Sequence, residues 1–156
     1  MTANRKTIEI IAYDDRYARA AVKMWRDSKQ EALKQKDIHS FNNHLNFLQS
    51  VLIKENKVFL AVDKPSETVV GLLAINGSRL NQLYIHNDYQ KTGIGSRLLN
   101  LAKELSPGKL ELFTFEVNNN ARAFYEKHGF KIVGRGFENE ENLPDIKYEW
   151  LKIIDV

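Results

Sequence analysis

The chain has 156 residues, 43% of them hydrophobic and 28% charged, and carries no cysteine. That composition fits one soluble globular domain spanning 1–156, excludes disulfides and Cys-ligated metal sites, and offers no run near the ~20 apolar residues of a membrane span. The net charge of +3, from 23 basic and 20 acidic residues, is spread along the chain rather than gathered in the basic stripe of a nucleic-acid binder. Residues 1–6 run into a short apolar segment with no cleavage-type ending, a poor secretory signal, so a cytoplasmic location is expected.

The first predicted element is a β-branched strand from Ile8 to Tyr13. Asp14 and Asp15 are good N-caps for a helix whose Tyr17, Ala21, Met24, Trp25 and Ser28 share one face. A second helix starts near Ser40, with Phe41, Leu45, Leu48 and Leu52 at helical spacing. Strands follow at Val58–Asp63, Val69–Ile75 and Leu80–Ile85, joined by the turns Lys64-Pro65-Ser66-Glu67 and Asn76-Gly77-Ser78. Ile94, Leu98, Leu101, Ala102 and Leu105 form a helix face that Pro107-Gly108 ends. A strand at Leu110–Phe115, a helix at Asn119–His128 with Gly129 at C′, and strands near Lys131–Phe137 and Ile146–Lys152 complete the chain. Tight turns make the early strands antiparallel, and the helical crossover makes Leu80–Ile85 and Leu110–Phe115 parallel. The expected fold is α+β: a mixed, mostly antiparallel sheet of about six to seven strands flanked by about four helices.

Two segments carry chemistry. Gln90-Lys91-Thr92-Gly93-Ile94-Gly95 lies between a strand and a helix, followed by Ser96. Glycines there let backbone approach a ligand, and the free N–H groups of a helix's first turn favour an anion such as phosphate. Lys91 and Arg97 add positive charge nearby. An isolated G-x-G serves a simple tight turn equally well. A Walker A loop is excluded because Ser96-Arg97 follows Gly95, and a dinucleotide fingerprint lacks its third glycine, since Leu98 stands there, although Glu116 falls near the place of the ribose-binding acid.

The second segment is Asn118-x-x-Ala121-x-x-Phe124-Tyr125-Glu126-x-x-Gly129-Phe130. In this order, with a helix and a strand between them, the two segments resemble the motifs of the GNAT acetyltransferase superfamily, and Leu83-Tyr84-Ile85 resembles its central strand. The likeness covers about Leu80 to Val133; earlier elements match only in order. It implies an N-acetyltransferase that moves an acetyl group from acetyl-CoA to a primary amine. The pyrophosphate would rest on Gln90, Lys91, Thr92, Gly93, Ile94, Gly95 and Ser96. The backbone of Leu83, Tyr84 and Ile85 would take the pantetheine arm and polarise the thioester, given a bulge there and strands that splay. Asn118 would cap its helix and touch the cofactor.

Tyr125 is the implied general acid, since a phenol of pKa ~10 keeps its proton at neutral pH. Its alternative reading is a core aromatic beside Phe124. Relatives carry an acid near the start of the central strand; Asn81-Gln82 stand there instead. Glu116 is therefore the first choice of general base, with His86, His39, His44 or a backbone water relay as alternatives and solvated surface roles for all. Glu138-Asn139-Glu140-Glu141-Asn142-Leu143-Pro144-Asp145 reads as a solvated acidic loop, or as an attractor of a cationic acceptor. The expected acceptor is a small, cationic primary amine that attacks the thioester directly, with a protein amine as the other choice; no metal is expected, and a homodimer is an open expectation. The second reading is an acetyl-CoA-sensing or nucleotide-binding module without acyl transfer.

Overall fold

The computed structural model describes residues 7–153; the stretch read as a poor secretory signal, residues 1–6, lies outside the described residues. Strand β1 (Ile8–Ala12) is followed by a single 3-10 turn capped by Asp14, whose carboxylate accepts the Arg16 N–H, and then by α1 (Ala18–Leu33). The face read from 3.6-residue spacing, Tyr17, Ala21, Met24, Trp25 and Ser28, is buried throughout. Ser40 caps α2 (Phe41–Phe47) by accepting the Asn43 N–H. Helix α2 runs through a π-helical turn (Leu48–Leu52) into the short α3 (Ile53–Glu55), so these three pieces form one body.

Strands β2 (Lys57–Asp63), β3 (Thr68–Asn76) and β4 (Arg79–Ile85) form an antiparallel meander. Then come α4 (Ile94–Leu105), β5 (Lys109–Phe115), α5 (Asn119–Lys127), β6 (Lys131–Gly136) and β7 (Asp145–Leu151). The seven strands make one sheet in the order β1-β2-β3-β4-β5-β7-β6, with β4–β5 the parallel pair. The last hairpin thus inserts β7, not β6, beside β5. Ile146 and Tyr148 of β7 are fully buried, whereas no residue of β6 is.

The sheet has a core on each face. Leu73, Leu98, Leu110, Tyr125, Ile146 and Tyr148 join one beneath α4 and α5. Trp25, Leu48, Leu60, Leu72 and Val69 join the other beneath α1 and α2. Covered on both sides, β3 reads as the continuous apolar run Val69–Ile75, without polar alternation. The α1 face is covered only as far as β4. On β5, Phe113 is 66% exposed, among ion pairs that include Lys147–Glu111 at 3.3 Å and Lys109–Glu149 at 3.4 Å.

Candidate active site

The two central strands part almost as soon as they meet. β4 and β5 pair at one position, Arg79↔Glu111, with the Glu111 N–H donating to the Ser78 carbonyl at 2.8 Å. β4 continues to Ile85 and β5 to Phe115 without another ladder pair. A gap therefore opens between their carboxyl ends, the usual ligand position in sheets with parallel crossovers.

Leu83, Tyr84 and Ile85 border this gap and pair on their other side with Leu73, Leu72 and Gly71 of β3. The His86 N–H donates to the Val70 carbonyl. Because antiparallel pairs alternate, Tyr84 bonds toward β3 while the backbone groups of Leu83 and Ile85 point into the gap. The β4 bulge falls at Asn81, opposite the Ala74/Ile75 step, and not at Leu83–Ile85. The gap itself, rather than a local bulge, frees these amides.

The loop before α4 closes the gap's end. Gln90 donates from Nε2 to the Ile85 carbonyl at 3.3 Å, and the Thr92 hydroxyl donates to the Tyr89 carbonyl. Lys91 (φ +62°) and Gly93 (φ +90°) are both left-handed, a strain that glycine alone adopts freely. Gly93 is the N-cap of α4 and offers no side-chain cap, so the first-turn N–H groups around Ile94, Gly95 and Ser96 stay available to an anion. Gly95 serves closeness instead: a Cβ there would lie 3.2 Å from the Phe124 ring. Ser96 Oγ is 3.1 Å from His128 Nε2, and burial with Lys103 and Lys127 nearby holds that imidazole below its ordinary pKa. The Arg97 guanidinium donates twice to the Ile8 carbonyl at 3.2 Å and ties α4 to β1.

Asn118 caps α5 by accepting the Ala121 N–H at 3.2 Å. Tyr125, 6% exposed, packs against Phe124, Phe130 and Tyr148, and its hydroxyl makes no hydrogen bond among the described residues. Burial, and then the Tyr84 hydroxyl, push its pKa above the ordinary phenol value. Tyr84 projects to the α1 face, against Trp25 at 5.9 Å between ring centroids. The two tyrosines thus feel each other from opposite faces of the sheet.

Glu116 follows the end of β5. Its carboxylate lies 3.7 Å from Arg135 and its carbonyl accepts from Arg122. His39 and His44 stand at the other margin, on the α1 side, and His86 turns back to accept the Asp88 N–H.

The acidic loop is less solvated than its composition predicts. Glu141 takes a hydrogen bond from Lys29 of α1 at 2.7 Å, and Glu140 pairs with His39 at 2.8 Å. Lys29 and Asp37, which complete this contact, carry no signal in the sequence beyond ordinary charge. Among the described residues, no three His, Cys, Asp or Glu gather into a metal-binding group, and no helix is long and apolar enough to cross a membrane.

The family model for the acetyltransferase (GNAT) domain matches residues 21–152, so the chain belongs to the GNAT acetyltransferase family. It is 32% identical over 106 residues to the peptidyl-lysine N-acetyltransferase YjaB of Salmonella typhimurium, covering 68% of this chain and 72% of that protein. The Escherichia coli peptidyl-lysine N-acetyltransferase YjaB is 30% identical, over 67% of this chain and 69% of its own length. The solution structure of apo YjaB from Escherichia coli superposes with a TM-score of 0.75 at 22% identity, over 94% and 99% of the two chains. PaiA N-acetyltransferase from Thermoplasma acidophilum, solved with coenzyme A, has a TM-score of 0.69 at 20% identity, over 92% and 98%. These likenesses establish the fold and an N-acetyltransferase class.

Proposed function

We propose that the protein, acting as one domain over residues 1–156 in the cytoplasm, transfers the acetyl group of acetyl-CoA to the Nε amine of a lysine side chain. The observation that carries this reading is the single paired position of β4 and β5. It leaves the Leu83 and Ile85 backbone facing a gap whose end is formed by the uncapped N-terminus of α4. That combination fits a long ligand with an anionic end and an extended arm that pairs like an added strand. The lysine acceptor rests on the two relatives named for peptidyl-lysine acetylation.

Acetyl-CoA supplies a thioester-activated acetyl carbon. The Gln90–Ser96 loop and the α4 amides hold its pyrophosphate, and Asn118 adds a contact while capping α5. The Leu83 and Ile85 amides orient the arm and polarise the carbonyl. Tyr125, buried and protonated, holds a proton for the departing sulfur. Glu116, half-exposed and tethered to Arg135, takes the proton of the incoming ammonium.

The test offers the protein acetyl-CoA with lysine-bearing peptides and, separately, small amines, scored by thiol release and by the mass of the acceptor. Lysine peptides should be acetylated. Thiol release with small amines alone would move the acceptor class. Acetyl-CoA binding without release for any amine would leave a sensing module.

A further inference from the structure

One imidazole near the cofactor loop has no role in the acetyl-transfer reading. His128 caps the C-terminus of α5, its ring packed on Phe124 at 4.6 Å between centroids and its carbonyl accepting from Lys103 Nζ at 2.8 Å. Phe124 is the ring that Gly95 touches, so this contact sets His128 against the first turn of α4. There its Nε2 lies 3.1 Å from Ser96 Oγ. The α4 ladder begins with the Arg97 N–H, which donates to the Gly93 carbonyl at 3.1 Å and leaves Ser96 as the last residue of the free first turn. A helical side chain tilts toward the N-terminus, so Ser96 carries both a backbone N–H and a hydroxyl at the anion-favouring end of α4.

The Ser96 hydroxyl has a single hydrogen, and the imidazole decides where it goes. An Nε2 without a proton accepts that hydrogen, and the serine then offers only lone pairs. An Nε2 that carries a proton donates to Oγ and leaves the Ser96 O–H to donate elsewhere. Neutral imidazole exchanges between the two states; imidazolium has only the second. Burial first, then Lys103 of α4 and Lys127 of α5, holds the His128 pKa below its ordinary value. Glu126, the one acid of α5, is taken by the Tyr148 hydroxyl at 2.6 Å. The α5 C-terminus favours an imidazolium and the α4 N-terminus opposes it. His128 therefore stands neutral near pH 7 with cations about it. The negative charge that would balance its protonated form is what a diphosphate brings to the end of α4.

On the anion-site assignment above, we propose that His128 is a proton-linked positioning residue for the cofactor's diphosphate: the protonated imidazole donates to Ser96 Oγ and so commits the Ser96 hydroxyl to a diphosphate oxygen. The sign follows from linkage. A bound diphosphate favours the imidazolium, raises the His128 pKa and draws a proton from solution. Affinity for the diphosphate therefore rises as pH falls through the pKa of the complex, and levels off below the pKa of the free protein.

The probe is dephospho-CoA, which keeps the diphosphate and lacks the 3′-phosphate that itself titrates near pH ~6. Calorimetry in two buffers of different ionisation enthalpy reads its Kd and the protons taken up together. The wild type should take up part of a proton and bind about fivefold tighter at pH ~5.5 than at pH ~8, most of the tenfold that one pKa unit gained on binding would give. His128→Gln puts an amide donor in the place of Nε2 and cannot titrate, so its Kd should be flat and its proton uptake zero. Ser96→Ala should cost more affinity at pH ~5.5 than at pH ~8 and lose most of the uptake. A wild type that binds the probe without taking up a proton overturns the inference, and so does a His128→Gln profile with the wild-type slope. A Ser96→Ala loss that is equal at both ends overturns the route through the hydroxyl. Should His128→Gln fail to fold, proton uptake by the wild type and by Ser96→Ala decides. A folded wild type that binds dephospho-CoA at no pH would instead sink the anion-site assignment, a failure distinct from a flat profile.

Discussion

Gly95 lies against Phe124: a Cβ built on the glycine would stand 3.2 Å from the ring, tighter than ordinary packing allows. The contact joins the two motif segments, the first turn of α4 and the middle of α5, and so fixes where Tyr125, the next residue on α5, is held. Gly95→Val should therefore act through packing as well as through the anion site. Overpacking of this kind costs ~1–3 kcal/mol. The expected result is a lower melting temperature together with at least a tenfold weaker acetyl-CoA affinity. Gly93→Ala separates the two effects, because its φ of +90° penalises a side chain by ~1–2 kcal/mol at the loop, away from the Phe124 contact. Full affinity in folded Gly95→Val and Gly93→Ala proteins, by calorimetry, would remove the anion-site assignment.

Tyr125→Phe deletes a hydroxyl that makes no hydrogen bond among the described residues while keeping the ring contacts to Phe124, Phe130 and Tyr148. Stability and acetyl-CoA affinity should change little. The kcat should fall by ~10²–10⁴-fold, the usual contribution of a general acid. The raised phenol pKa also has a sign: the proton stays on Tyr125 beyond the ordinary phenol range, so no alkaline loss of activity below pH ~10 should come from it. An unchanged kcat under chemistry-limited conditions would return Tyr125 to the core.

What was legible beforehand follows from the range over which each feature is determined. The buried face of α1, the Ser40 and Asn118 caps and the left-handed Gly93 are local, and periodicity or residue type reveals them. The β5-β7-β6 order is not local: a hairpin's sequence sets its pairing, not which of its strands lies inside. The clue was the alternation Ile146, Tyr148, Trp150, stronger than anything in Lys131–Gly136. The Lys29–Glu141 pair spans 112 residues, and a distant charge partner leaves no mark on either neighbourhood. Composition therefore made a solvated turn of a loop that is pinned to α1. The Arg97 contact is equally non-local, since its partner is a backbone carbonyl of β1.

Glu116 offers a direct test of the proposed base. Glu116→Gln keeps the size of the side chain and its backbone bonds to Pro144 and Arg122 while removing the proton acceptor. The kcat/KM for a lysine peptide should fall ~10²-fold or more at neutral pH, and the loss should shrink as rising pH deprotonates the free amine. A variant with a wild-type pH profile would pass the role to a histidine or to a water relay.

His44 should make folding stability depend on pH. It is 8% exposed, set edge-on to Trp25 at 4.1 Å between ring centroids, and its Nδ1 has no hydrogen-bond partner. Burial lowers its pKa to about 4, against the opposing pull of Asp37, with Arg26, Lys29 and His39 reinforcing the shift. In the unfolded chain the imidazole titrates near 6.5. Between those values the unfolded state binds a proton that the folded state refuses, so stability rises with pH across the window. The contribution is fully present above pH ~6.5 and is lost as pH falls toward 4, amounting to at most ~3 kcal/mol. Carboxylates titrate over part of the same range, so the informative quantity is a difference. Urea unfolding of the wild type and of His44→Gln, from pH 7.5 to 4.5, should show the wild type losing stability faster on acidification, with the two profiles parallel above pH 7. Parallel profiles throughout would mean that His44 is protonated as readily in the folded protein as in the unfolded chain, and that Asp37 rather than burial governs its charge.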